Sequence, residues 1–221
     1  MKRFFLFFVF FIFFNTHSFA QKKIPHPFRF EFSIGPSYFL NNIQSTNFFL
    51  KKHGYNVNIK FKYKLTKNTG ILLMYATNYN KFYSKFTADI SAFSIAFGNF
   101  NSYNLMAGGF YEFNIRNKLS LESKFLAGYS TIKHKHYMLF ILPLPLPDNY
   151  NNKSSSFSLY TGTGIYYKVK ENFSLGFNID YHFSTLEFDN NTTNNNNNTD
   201  LFEYPDTYNV FIFTVNFQFI F

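Results

Sequence analysis

Three short polar turns, Thr66-Lys67-Asn68-Thr69, Arg116-Asn117-Lys118 and Lys170-Glu171-Asn172, recur at intervals of about fifty residues, the mark of an internal hairpin repeat. Each is entered from a stretch of alternating apolar and polar residues, Tyr63-Lys64-Leu65, Tyr111 to Ile115 and Tyr167-Lys168-Val169. Leu119-Ser120-Leu121 and Phe173-Ser174-Leu175 lead out of the second and third. A period of two is the strand period, because successive side chains of a strand point to opposite faces. Between the hairpins lie longer connections at 39–54, 84–101, 138–155 and 188–206. Reading outward from the turns predicts eight strands, near 28–38, 55–65, 71–83, 102–115, 119–137, 156–169, 173–187 and 207–221. An even number of strands joined alternately by short turns and long loops predicts an all-β, eight-stranded antiparallel up-and-down transmembrane β-barrel.

The last strand carries the alternation to its end, with Phe211, Phe213, Val215, Phe217, Phe219 and Phe221 on one face and Asn209, Thr214, Asn216 and Gln218 on the other. Val210, Ile212 and Ile220 break the polar face and put apolar bulk there. Other strands repeat the pattern, for example Tyr55, Val57, Ile59, Phe61, Tyr63 and Leu65. The opposite faces carry Ser33, Gly35, Gly108, Gly128, Gly162, Gly164 and Gly176 together with the charged residues Arg29, Glu31, Lys60, Lys62, Lys64, Glu112, Glu122, Lys124, Lys168 and Asp180.

Alternation alone does not say which face is outside, so volume has to. The chain has 36 Phe and 17 Tyr. An AT-rich codon usage can supply phenylalanines but cannot place them at every second position. An eight-stranded barrel has an interior just wide enough for side chains to fill, so rings in these numbers belong outside, against lipid. The charges then share the lumen, where they must pair, and a structural salt-bridge network is expected, with a conducting polar path as the other reading. Tyr63, Tyr111 and Tyr167 near the short turns, and Tyr79, Tyr103, Tyr129 and Tyr181 farther along, mark two aromatic girdles.

At the N-terminus Lys2 and Arg3 precede an apolar run from Phe4 to Phe14, and Ser18-Phe19-Ala20 closes the segment. This is the order of a cleavable secretory signal over 1–20, with the barrel domain at 21–221. Removing it takes the formal charge from +9 to +7, since Lys2 and Arg3 leave and no acid does. The remaining lysines are spread among strands rather than gathered in a patch, so nucleic acid is not an expected partner. With no cysteine, thiolate metal sites, disulfides and cysteine nucleophiles are excluded.

Two clusters have residue types that carry chemistry. Asp180-Tyr181-His182-Phe183-Ser184 holds an acid, a base and a nucleophile, and reads equally as ordinary polar residues of the lumen. His134 and His136, flanked by Lys133 and Lys135, make a two-ligand metal reading against a solvated strand, and no metal is expected. The apolar stretch 137–147 offers a surface for the outer leaflet, for the barrel mouth, or for a partner or small apolar ligand. The tract 190–198, asparagine apart from Thr192 and Thr193, is low-complexity loop.

The signal-like N-terminus, the hairpin repeat and the terminal Phe make the chain resemble the small eight-stranded outer-membrane barrels of OmpA/OmpX-like architecture. Within them it is most similar to the Bacteroidota outer-membrane β-barrel domain and the porin-like or PorT-like proteins. That resemblance implies the outer membrane as location, lipid and lipopolysaccharide as surroundings, and a monomer without cofactor. It also implies hand-over to the barrel-insertion machinery through Phe217, Phe219 and Phe221. The function it implies is non-enzymatic, with surface loops serving adhesion, interaction or envelope maintenance. A narrow channel or carrier for small apolar molecules is the alternative. The His-x-Ser of His182 and Ser184 separately resembles the lipid A deacylase family, which would make His182 a base and Ser184 a nucleophile, oriented by Glu187 or Glu203.

Overall fold

The structure, a computed structural model, describes residues 26–40, 53–88, 92–140, 150–185 and 207–221, and for 82–88, 92–98, 134–140 and 150–152 the backbone only. Eight strands follow one another: β1 (Phe28–Phe39), β2 (His53–Lys64), β3 (Thr69–Ala88), β4 (Ala92–Arg116), β5 (Leu119–Phe140), β6 (Tyr150–Lys170), β7 (Phe173–Thr185) and β8 (Thr207–Ile220). Each pairs antiparallel with its neighbours in sequence, and β1 pairs with β8 to close the barrel. Closure runs from Arg29↔Ile220 to Phe39↔Val210, so the terminal strand forms the last stave. Closing the sheet leaves no free edge over the height of the barrel.

The three predicted tight turns join β2 to β3, β4 to β5 and β6 to β7. In the first, the Thr66 hydroxyl accepts from the amides of Asn68 (3.2 Å) and Thr69 (2.9 Å), satisfying donors the ladder leaves free. Asn68 then donates to the Glu112 carbonyl (2.9 Å), tying the turn to β4.

At the other end the structure corrects the expected loops. The connection expected at 84–101 is mostly paired strand, since the β3–β4 ladder continues from Asn80↔Phe100 to Ala88↔Ala92 and leaves only 89–91 between. Phe93, Ile95 and Phe97 alternate with Ser94, Ala96 and Gly98, a strand pattern that explains the extension. Likewise β5 runs to Phe140 and β6 starts at Tyr150, so 138–155 shrinks to 141–149. The apolar stretch 137–147 therefore begins as strand, and from 141 onward it lies outside the described residues, as does the asparagine tract.

Every strand alternates in burial. Even-numbered residues turn inward on β2 to β8 and odd-numbered ones on β1. The exterior presents Phe28, Phe61, Phe125, Phe157 and Phe177 with Tyr63, Tyr111, Tyr129 and Tyr167, all exposed. The interior buries Glu31, Lys60, Lys62, Glu122, Lys124 and Asp180. Charge inside and rings outside invert the arrangement of a soluble protein, and such a wall is stable only where lipid replaces water. No helix among the described residues is long and apolar enough to cross a membrane, which is silent about strands.

Candidate functional site: the lumen

The register of β1 on β2 sets Glu31 opposite Lys60 and Arg29 opposite Lys62, placing charges of both signs in one part of the lumen. Glu31 is the acceptor around which they gather. Its Oε1 receives Lys60 Nζ (2.6 Å) and the Ser33 hydroxyl (3.1 Å). Its Oε2 receives Lys62 Nζ (2.7 Å), the Tyr166 hydroxyl (2.9 Å) and the Gln218 amide (3.3 Å). Lys62 reaches across to both oxygens of Glu122 (2.7 Å each), with its ammonium 4.7 Å from the Tyr166 ring centre and 5.8 Å from that of Phe110. One ammonium thus joins two carboxylates and two rings where all three charged side chains are buried away from bulk solvent, so a missing partner would be costly.

Nearer the short turns Glu112 holds both Arg29 (2.6 Å) and Lys64 (2.9 Å). On the far wall Lys124 meets Asp180 at 2.8 Å although β6 lies between their strands. Gly162 sits between them in register, and a Cβ there would run into the Asp180 carboxylate. Glycine is what lets the pair span a strand. Gly176 does the same for a ring, since a Cβ would lie 2.6 Å from Tyr166 Cδ1. With its carbonyl turned to the lysines, the Asn178 amide accepts from Lys124 (2.7 Å) and Lys60 (3.2 Å). Five cations, Arg29, Lys60, Lys62, Lys64 and Lys124, face four acids, Glu31, Glu112, Glu122 and Asp180, leaving 5 − 4 = +1. Lys168, expected among them, keeps the inward parity, paired with the buried Ser174, but is exposed, because it stands at the rim of the barrel beside the Lys170-Glu171-Asn172 turn.

Above the charges a belt of amides and hydroxyls runs round the wall. Asn58 donates to Asn56 (2.7 Å), Asn56 to Asn78 (2.6 Å) and Asn78 to Ser102 (2.9 Å). Asn104 donates to Ser102 (3.1 Å) and Ser130 to Asn104 (2.6 Å), and Ser130 meets His182 Nε2 at 3.2 Å. Since the Ser130 proton is committed to Asn104, hydrogen-bond counting assigns the His182 proton to Nε2, which donates to Ser130. Nδ1 is then left without a partner.

Toward the long loops the lumen is closed by rings. Phe39 stacks on Phe100 at 5.3 Å and 20°, Tyr208 lies 5.3 Å from Phe39, and Asn80 donates to the Tyr208 hydroxyl at 2.7 Å. Val210, Ile212, Leu72, Met74, Met106, Leu126 and Ile132 fill the wall behind and below. Val210 and Ile212 thus lie inside, where the alternation of the last strand puts them. Phe39, Phe100, Phe110, Tyr160, Tyr166 and Tyr208 are the interior residues sequence reasoning missed. Parity was the signal available: Phe39 is odd on β1 and the other five are even on β4, β6 and β8, opposite in each case to the outward rings.

His182 and Ser184 are both fully buried and face the lumen. They do not meet. His182 bonds Ser130, while Ser184 bonds Ser156 (2.6 Å) and the Thr185 carbonyl (3.2 Å). An acyl ester in the membrane would have to cross the wall to reach either. Glu187 and Glu203 lie outside the described residues, as do the side chains of His134 and His136. Among the described residues no group of three His, Cys, Asp or Glu is arranged to hold a metal.

No protein-family model and no curated protein sequence matches the chain. Among solved structures, Neisserial surface protein A is similar at 13% identity and TM-score 0.49, over 88% of this chain and 97% of that one. Ail, the attachment invasion locus protein of Yersinia pestis, solved with the heparin analogue sucrose octasulfate, is similar at 17% identity and TM-score 0.47, over 88% and 99%. OprG from Pseudomonas aeruginosa is similar at 11% identity and TM-score 0.45, over 89% and 97%. The first is a surface protein by name, and Ail and OprG are outer-membrane proteins by name.

Proposed function

We propose that the chain is an integral outer-membrane β-barrel protein of a Gram-negative bacterium, exported by a signal cleaved after Ala20 and acting through its surface rather than by catalysis. The observation that carries this reading is the filled lumen: among the described residues charges, amide belt and ring cap occupy the interior, so what the barrel offers is its outer wall and the segments at its long-loop end. Adhesion, partner contact or envelope maintenance are functions of that kind. The sequence likeness to Bacteroidota porin-like and PorT-like barrels belongs with this reading and rests on the signal-like start, the hairpin repeat and the terminal Phe. Insertion through Phe217, Phe219 and Phe221 is supported by the place of Phe217 and Phe219 on the closing strand and of Phe221 directly after it, with Phe219 and Phe221 exposed. A monomer in lipid and lipopolysaccharide, without cofactor, completes the proposal.

Envelope fractionation of cells producing the full chain tests it. The expected result is a protein of the outer-membrane fraction whose gel migration changes on boiling. Recovery in the soluble or inner-membrane fraction, unshifted by boiling, would overturn the reading. Liposomes carrying the barrel should conduct at background, and lipid A should be the same in cells with and without it. Conductance above background would restore the channel, and deacylated lipid A lost on Ser184→Ala would restore the hydrolase.

A further inference from the structure

On the outer wall of β3 to β6, beside the exposed Tyr103 and Tyr129, lysines line up across the sheet. One hydrogen-bonded row runs Tyr79, Asn101, Lys133, Lys153, and the next places Lys81, Asn99 and Lys135 together. Tyr79, Lys81, Asn99, Asn101, Lys133 and Lys153 have the odd numbering that turns outward on these strands, and Lys81, Lys133 and Lys153 are exposed. Lys133 and Lys153 stand directly opposite each other in the antiparallel pair. Side chains so placed have Cβ atoms about 5 Å apart, and like charges there repel.

Nothing within the described protein relieves that repulsion. Among the described residues no carboxylate lies within ion-pairing distance of Lys81, Lys133 or Lys153. Two of the ammonium groups stay against the wall: Lys133 Nζ lies 5.5 Å from the Tyr103 ring centre and Lys81 Nζ 5.9 Å from that of Tyr79. Among the described residues the other half of the barrel has nothing similar. On β1, β2, β7 and β8 the outward residues toward the long loops include Tyr38, Tyr55, Tyr181, Phe183, Asn209 and Phe211, and no outward position there is Lys or Arg.

We infer that Lys81, Lys133 and Lys153 form a binding site for the phosphate groups of lipid headgroups in the leaflet at the long-loop end. The inference rests on the outer-membrane reading above and names a partner for one wall of it. Tyrosine girdles sit where apolar chains give way to headgroups, and cations level with them meet headgroup phosphate, as juxtamembrane lysines do. Lipid is favoured over a soluble polyanion because the three side chains project from the lipid-facing wall, beside Tyr129 and Phe157, and not from the mouth. A phosphate between Lys133 and Lys153 turns their mutual repulsion into two attractions.

The test is lipid retention by the folded full barrel, released from micelles of mixed phosphatidic acid and phosphatidylcholine and weighed by native mass spectrometry. Wild-type protein should keep phosphatidic acid in preference. The triple variant Lys81→Gln/Lys133→Gln/Lys153→Gln should lose about tenfold or more of that preference, at the strength of an interfacial lysine. Lys67→Gln/Lys118→Gln/Lys170→Gln, changed at the short-turn end, should keep it, and so should arginine at the three proposed positions. Arginine also provides a folded reference should the glutamine variant fail to form the boiling-sensitive barrel. No preference in wild type, equal preference in the glutamine variant, or preference moved to a sulfated oligosaccharide added in solution would each overturn the inference. Failure to enter lipid at all would instead sink the membrane reading on which it stands.

Discussion

Toward the short turns the lumen is closed by Arg29, Glu31, Lys60, Lys62, Lys64, Glu112, Glu122, Lys124 and Asp180, and toward the long loops by Phe39, Phe100 and Tyr208, with the amide belt between. The charged end depends on complete pairing. A buried ion has few substitutes for a lost partner, so removing one member exposes the full cost of the others. The ring end depends on shape and on single hydrogen bonds, and a lost contact there costs that contact and little more. The same barrel therefore has a brittle end and a tolerant one.

The comparison can be broken most directly at Lys62. Lys62→Met leaves Glu31 and Glu122 facing each other without the shared ammonium and is expected to cost about 3–5 kcal/mol, read as a lower denaturant midpoint in micelles. A cost under about 1 kcal/mol would mean that water reaches the carboxylates, and the distinction between the ends would fall. Adding Glu122→Leu should recover part of the loss, because the pair is then removed from both sides.

Gly162→Ala comes next, at about 1–3 kcal/mol, since the new methyl group displaces the Asp180 carboxylate from Lys124. At the tolerant end Tyr208→Phe strands the Asn80 donor and should cost about 1–2 kcal/mol by the same measurement. Smallest is Ser184→Ala, expected near or below about 0.5 kcal/mol, because Ser156 keeps its own bond to the Thr185 carbonyl. A large loss there would show that Ser184 does more than fill the lumen.

How much of this was legible depends on how local the cause is. Strand positions follow from alternation and turn chemistry within a few residues, and all eight expected strands overlap the observed ones. The overreach was in the long connections, where Phe93 to Gly98 alternate as strands do but lie far from any tight turn that would flag them. Charged lumen residues were readable by parity up to Arg29 and Asp180. Lys168 has the right parity but stands at the rim beside a tight turn, where the lumen opens to solvent, and parity does not tell height along the barrel. Nor could parity say that Lys124 would choose Asp180 across a glycine, or that Tyr166 would bridge Lys62 and Glu31.

By itself the sequence determined the period, the turns and the two contrasting faces, because a strand's side chains alternate whatever surrounds it. Closure decided the rest. Only when β8 meets β1 do residues far apart in the chain share one narrow interior, and Glu31 and Tyr166, 135 positions apart, come within 2.9 Å. Ion partners, belt and cap are set by shear and volume across the barrel, quantities that belong to the closed sheet and to no single strand.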